Sequence, residues 1–291
     1  MKDRQVSEKQ RIQRHFDAKA MQYESSAVLQ RQVGEELLQR LDLTCLNPSV
    51  ILDAGCGTGW GTQGLLKKYK KAKLISLDLS PEMLRQTKAK GGWLRKPELL
   101  CADAEDIPLQ DESVDLVFSN LMLQWCDYKK VFSEFKRVLK PDGLLMFSTF
   151  GPDTLKELRN SWAQVDDHAH VNEFSDMHDL GDELIHAGLA EPVMDMDVMQ
   201  LTYKNVMSVM TDLKAIGANT PLKKHPHVTA QGLVTPAKLK RVIESYEQYR
   251  VQGVVPASYE VVYGHAWKTP PRATKMQQSE FSVSVEPKKI S

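Results

Sequence analysis

The sequence predicts an α/β fold built on a mostly parallel, seven-stranded sheet, and three observations carry that prediction. Apolar runs of strand length alternate with segments of helical period from about residue 50 onward. The first run, Val50-Ile51-Leu52-Asp53, passes directly into Gly55-Cys56-Gly57-Thr58-Gly59 and then into a helix-like Gly64-Leu65-Leu66-Lys67-Lys68. The second, Lys73-Leu74-Ile75-Ser76-Leu77, ends in an acid, Asp78. A buried strand that enters a glycine-rich turn and a helix start builds a nucleotide pocket at the carboxyl ends of an open sheet.

The elements follow in order. Residues up to about Leu43 carry an apolar stripe of helical spacing (Val28, Leu29, Val33, Leu37, Leu38, Leu41), which Asn47-Pro48 ends. After Asp78, Ser80-Pro81 supplies an N-cap with proline at the first helical position, opening a helix through Met83 and Leu84. Leu99-Leu100-Cys101 reads as the third strand, running into Asp103-Ala104, and residues 113–119 read as the fourth. A helix over 128–139 is stopped by Pro141-Asp142-Gly143, and 144–149 forms the fifth strand. The regularity then loosens. A helix over 154–162, an acidic histidine-containing loop and a helix over 176–187 precede a sixth strand at 191–203 and a seventh at 258–267.

Between those two strands, the helical stretch 205–253 is too long for a hairpin connection and is expected to cover the pocket as a lid or docking element. One domain is expected over 1–268, with a helical cover (1–46), a cofactor-binding half (47–150) and insertions at 151–175 and 204–257. The tail from Lys268 on, with Pro270-Pro271, is expected to be poorly ordered.

Composition bounds the function. The 38 Lys+Arg cancel the 38 Asp+Glu, so no global field favours nucleic acid or membrane. Cys45, Cys56, Cys101 and Cys126 are scattered without a C-x-x-C pair, which gives neither zinc nor a disulfide framework. Residues 1–5 are polar and no apolar run reaches membrane-spanning length, so a soluble, cytoplasmic protein is expected.

Loop spacing selects the cofactor. A dinucleotide site wants G-x-G-x-x-G in the turn, but the sixth position from Gly55 is Trp60 and from Gly57 is Thr62. An acid closing the first strand, followed by G-x-G-x-G, instead resembles motif I of the S-adenosylmethionine-dependent methyltransferases. That methyl donor has no phosphate, and its sulfonium and amino groups suit a carboxylate such as Asp53. The resemblance implies donor contacts from Asp53, Gly55, Cys56, Gly57 and Gly59, and from Asp78 and Leu79 at the ribose. Met83, Asp103 and Ala104 fall to the adenine, Asn120 and Gln124 to the methyl-delivery face. Cys56 reads as a small residue that fits the loop, Met83 also as core, Asp103 also as a turn carboxylate, and Trp125 equally as packing or acceptor contact.

Two further stretches stand out. Between Lys214 and Arg241 lie Lys223, Lys224, Lys238, Lys240, His225 and His227 with no acid, a basic surface suited to an acidic partner or an ordinary solvated helical face. Asp166-Asp167-His168-Ala169-His170 has metal-ligating residue types, but methyl transfer from a sulfonium requires no metal and a surface loop is expected.

Longer runs resemble one family, the malonyl-[acyl-carrier protein] O-methyltransferases of biotin biosynthesis. They are Asp103-Ala104-Glu105-Asp106-Ile107-Pro108-Leu109, Ser119-Asn120-Leu121-Met122-Leu123-Gln124-Trp125-Cys126 and Thr149-Phe150-Gly151-Pro152-Asp153-Thr154-Leu155. Met177-His178-Asp179-Leu180-Gly181-Asp182 and Asp212-Leu213-Lys214-Ala215-Ile216-Gly217-Ala218-Asn219 agree. The resemblance implies the Rossmann-like fold of class I methyltransferases and methylation of the free carboxylate of a malonyl thioester on acyl carrier protein, with malonyl-CoA as the alternative carrier. It also implies a cation for that carboxylate, expected from Arg159 or Lys214, with Tyr23 closing over the donor. A quinone or small-molecule methyltransferase with the same core would need a base, for which His170 and His178 are available. A donor-binding protein without turnover would keep the same acids.

Overall fold

The structure, a computed structural model, describes residues 7–92, 95–215 and 234–269. Seven strands form one sheet in the order β3-β2-β1-β4-β5-β7-β6. The strands are β1 (Val50–Ala54), β2 (Lys73–Asp78), β3 (Glu98–Cys101), β4 (Val114–Asn120), β5 (Leu139–Phe150), β6 (Ala190–Tyr203) and β7 (Val255–Trp267). The first five run parallel, and β7 inserts antiparallel between β5 and the edge strand β6. Strand order reverses between β1 and β4, and that switch point opens a crevice at the carboxyl ends.

Nine helices surround the sheet among the described residues: α1 (Glu8–Ser26), α2 (Val28–Arg40), α3 (Trp60–Lys68), α4 (Pro81–Lys90), α5 (Tyr128–Val138), α6 (Lys156–Ala163), α7 (Met177–His186), α8 (Val206–Ala215) and α9 (Pro236–Tyr246). Successive strand residues feed opposite cores, as parallel strands covered on both faces must. Ile51, Leu116 and Phe118 pack with Leu29, Val33 and Leu37 of α2. Leu52, Val117 and Phe147 pack with Phe132 and Phe135 of α5 and Leu184 of α7.

Three expectations are corrected. The fifth strand begins at Leu139, because Leu139 pairs with Val114 before the register slips at a bulge. Pro141-Asp142-Gly143 lies within that bulge, with Asp142 at φ +62°. Lys268, expected in a loose tail, is buried and closes the bulge: its amide donates to Gly143 and its Nζ to the Leu139 carbonyl at 2.7 Å.

The acidic histidine loop is tied to α6 and α9. His170 stacks on Trp162 at 3.6 Å and bonds Asp166, which also takes Lys238 of α9 at 2.7 Å. Of the basic stretch, Lys214 is exposed, Lys238 is thereby paired, and Lys223, Lys224, His225 and His227 lie outside the described residues.

Candidate active site

The crevice is built by the loop that leaves β1. Gly55, Gly57 and Gly59 all have left-handed backbones, at φ +73°, +54° and +84°. Their reasons differ. A Cβ on Gly55 would stand 2.3 Å from Met122, and one on Gly59 would stand 2.8 Å from the backbone of Thr87, so both permit close packing. A Cβ on Gly57 would meet nothing within 4 Å, so Gly57 leaves backbone open to a cavity. The loop is tied to β2 by Gly55 and Cys56 amides that donate to the Leu77 carbonyl at 2.8 and 3.0 Å.

Two acids end these strands. Asp78 accepts the Gly57 amide at 2.9 Å on one oxygen and the Ser80 amide at 2.8 Å on the other. Burial pushes its carboxyl up to about 6, against the lowering effect of those amides. Asp53 is buried and accepts Thr62 Oγ1 at 2.6 Å. Burial pushes it up to about 7, the Thr62 bond opposing and nearby Asp78 adding to the shift. Cys56 is buried and its thiol is pushed well above the ordinary range by burial, which makes it a packing residue of the loop.

Two adjoining cavities flank the loop. The first is lined by Asp78, Leu79, Met83, Asp103 and Ala104, and the second by Asp53, Cys56, Trp60, Gln30 and Arg31. They meet at Tyr23, Gly55, Gly57 and Asn120. An outer cavity of about 700 Å³ shares Lys9, Ile12, Trp125 and Cys126 with the first and extends past Gln124, Phe150 and Phe174.

Helix α1 closes the crevice from above. Lys9 Nζ bonds Asp103 at 3.0 Å and Glu105 at 2.6 Å, and Asp17 accepts Ser80 Oγ at 2.5 Å. Phe16 packs edge-on against Trp125 and Tyr23.

Most of the residues singled out from sequence therefore gather around the two inner cavities, and four do not. Gly59 faces Thr87. Gln124 lines the outer cavity, its amide donating to the Leu121 carbonyl at 2.5 Å. Arg159 lines none of the three cavities; its Nη1 and Nη2 donate to the carbonyls of Pro152 and Thr154 at 2.8 and 2.9 Å. Lys214 projects exposed from the last turn of α8. Conversely, Lys9, Gln30 and Arg31 face the cavities although the sequence assigned a site role on their helices to Tyr23 alone.

The polar set suits a cationic nucleoside. Asp53, Asp78 and Asp103 offer carboxylates for an ammonium, ribose hydroxyls and an exocyclic amine, while Leu79, Met83 and Ala104 offer apolar surface for a ring. The same three acids would repel a pyrophosphate. The sheet order, the open glycine at the switch point and this acid set define a Rossmann-like, S-adenosylmethionine-dependent methyltransferase, and a family profile described as a methyltransferase domain matches residues 52–147.

Comparison over the whole length narrows the class. The chain is 49% identical to the malonyl-[acyl-carrier protein] O-methyltransferase of Gallionella capsiferriformans, over 93% of this chain and 94% of the relative. It is 46% identical to that of Halorhodospira halophila (97% and 96% covered) and 39% identical to that of Legionella pneumophila (92% and 93%). The chain belongs to the malonyl-[acyl-carrier protein] O-methyltransferase family. Among solved structures, the YcgJ protein of Bacillus subtilis superposes with a TM-score of 0.56 at 15% identity, covering 81% of this chain and 100% of that one. A putative methyltransferase from Bacillus halodurans gives 0.56 at 18% identity, with the same coverage. At such identity these two structures bear on the fold alone.

Proposed function

We propose that the chain methylates the free carboxylate of a malonyl thioester carried on acyl carrier protein, giving the methyl ester that primes pimeloyl synthesis for biotin. The observation that carries this reading is the identity to relatives of that name across more than nine-tenths of the chain. Bound S-adenosylmethionine supplies a methyl group activated by its sulfonium. A malonyl carboxylate is already ionised near neutral pH, so the acceptor needs no general base. The protein's task is then alignment and exclusion of water.

The residues take roles that fit this task. Asp78 holds the ribose hydroxyls and Asp103 the adenine amine, with Met83, Leu79 and Ala104 against the ring. Asp53 faces the amino-acid end of the donor. Tyr23 sits where the two inner cavities meet and shields the reacting centre. Burial and nearby Asp78 push its phenol well above the ordinary range, so it serves as a neutral donor and never as a base. The acceptor arm lies in the outer cavity of about 700 Å³. Arg159 and Lys214 line none of the three cavities, and Lys9, the one described cation lining both the outer cavity and the first, is already paired with Asp103 and Glu105 at the adenine wall.

The test is incubation with labelled methyl donor and, separately, malonyl-carrier protein, malonyl-CoA and a quinone. Base-labile label on the malonyl carrier protein is expected. Label on the quinone alone would overturn the acceptor, label on malonyl-CoA alone the carrier, and donor binding without transfer the activity.

A further inference from the structure

The outer cavity opens onto the first inner cavity past four side chains, Lys9, Ile12, Trp125 and Cys126. Three of them have little to offer an incoming anion. Ile12 is apolar and buried, and the Cys126 thiol turns to Met122 Sδ at 3.1 Å. Lys9 Nζ is committed to Asp103, Glu105 and the Cys126 sulfur. The fourth differs: the indole N–H of Trp125 has no hydrogen-bond partner among the described residues and is not sealed from solvent. Lys129 and Lys130 line only the outer cavity, where they are exposed and paired with Glu183, Glu105 and Asp127.

The fold sets the indole in place. Trp125 closes the short 3₁₀ turn, Leu123–Trp125, that follows β4, and its amide donates to the Met122 carbonyl at 3.0 Å. Phe16 stands edge-on to the indole with ring centres 5.3 Å apart, and Tyr23 edge-on to Phe16 at 6.2 Å. This row of rings leads from the passage to Tyr23, where the two inner cavities meet. A second neutral donor lies on the neighbouring strand. The Thr149 hydroxyl of β5 lines the outer cavity and reaches Gln124 Oε1 only at 3.4 Å, long for an O–H···O bond.

In the proposed transfer a carboxylate oxygen bonds to the methyl carbon while the carbon–sulfur bond breaks and its electron pair stays on sulfur. No proton moves, and one negative and one positive charge vanish together. A cation held against the carboxylate stabilises the charged ground state more than the transition state, which raises the barrier. Neutral donors hold the carboxylate with less of that penalty. We infer that the Trp125 indole N–H, with the Thr149 hydroxyl, binds the acceptor carboxylate where a cation was expected. The inference rests on the proposed function for the identity of the acceptor. It adds the residues that tell a malonyl from an acetyl thioester.

Steady-state kinetics on the full chain tests it, with malonyl-carrier protein as substrate and acetyl-carrier protein, which lacks the carboxylate, as competitor. Trp125→Phe keeps a ring against Phe16 and removes the N–H. It is expected to raise KM for the malonyl carrier by about 10- to 100-fold, leaving KM for S-adenosylmethionine and inhibition by the acetyl carrier within about twofold. Thr149→Val should act in the same direction by about 3- to 10-fold, and it carries the comparison should Trp125→Phe fail to fold. Equal weakening of both carriers would mark the ring as packing and overturn the inference. So would a malonyl-carrier KM that rises in Lys9→Met and stays unchanged in Trp125→Phe. A wild-type chain that binds S-adenosylhomocysteine yet leaves the malonyl carrier unmethylated would overturn the proposed acceptor, and the inference with it.

Discussion

Asp78 Oδ2 accepts a 2.9 Å hydrogen bond from the Gly57 amide, so the acid that ends β2 clasps the glycine loop that leaves β1. The other oxygen takes the Ser80 amide that opens α4. One carboxylate thus sets both walls of the crevice. Asp78→Asn leaves one amide facing an NH₂ group, and S-adenosylhomocysteine affinity should fall by about 10- to 100-fold. Calorimetry checks this; an unchanged affinity would mean the clasp has no part in binding.

Acidity should compete with the donor. Burial holds Asp53 at about 7 and Asp78 at about 6 in the ligand-free fold. Both shifts are upward, so these acids contribute stability that is full below the ordinary carboxylate range, near pH 4, and is lost as pH rises through about 6 and 7. A ligand bearing an ammonium needs the ionised forms. Affinity for S-adenosylhomocysteine should therefore climb between about pH 5.5 and 8, by up to about 100-fold if two protons are displaced. A flat affinity profile over that range would contradict the assignment of both acids.

Two neighbouring glycines should fail in different ways. Gly57→Ala places a methyl group in open cavity at φ +54°, with strain of about 1–2 kcal/mol. Binding should be lost out of proportion to the fall in melting temperature. Gly59→Ala adds to similar strain a clash with the Thr87 backbone, for a total of about 2–5 kcal/mol, and should register mainly in melting temperature. Thermal melts beside calorimetry separate the two, and parallel behaviour would refute the distinction.

Arg159 is expected to act on the loop that follows β5. Its guanidinium joins the Pro152 and Thr154 carbonyls, so Arg159→Ala should cost about 1–3 kcal/mol of stability. In a steady-state assay the KM for the malonyl thioester should move little at temperatures where the variant is folded. A large rise in that KM with an unchanged melt would return Arg159 to the acceptor site.

Much of the fold was legible because parallel strands covered on both faces read as short apolar runs, as Ile51-Leu52 and Leu116-Val117-Phe118 do. The early start of β5 was not. Pro141-Asp142-Gly143 has the local chemistry of a turn, and what makes it strand is Lys268, a partner 129 residues distant from Leu139. The acids of the crevice were legible because each ends a strand beside the switch point. Lys9, Gln30 and Arg31 were not, since they matter only once α1 and α2 fold back over those strand ends. Arg159 differs from them: a lone cation in a distinctive run resembles a ligand, and the structure gives it carbonyls of its own loop as partners.

The central claim is that this crevice delivers a methyl group to a malonyl carboxylate on acyl carrier protein. Intact mass measurement of malonyl-carrier protein after incubation with enzyme and S-adenosylmethionine tests it most directly. The account predicts a gain of one methyl group per carrier, absent with carrier bearing an acetyl group. An unchanged malonyl carrier, under conditions where the enzyme binds S-adenosylhomocysteine, would contradict it.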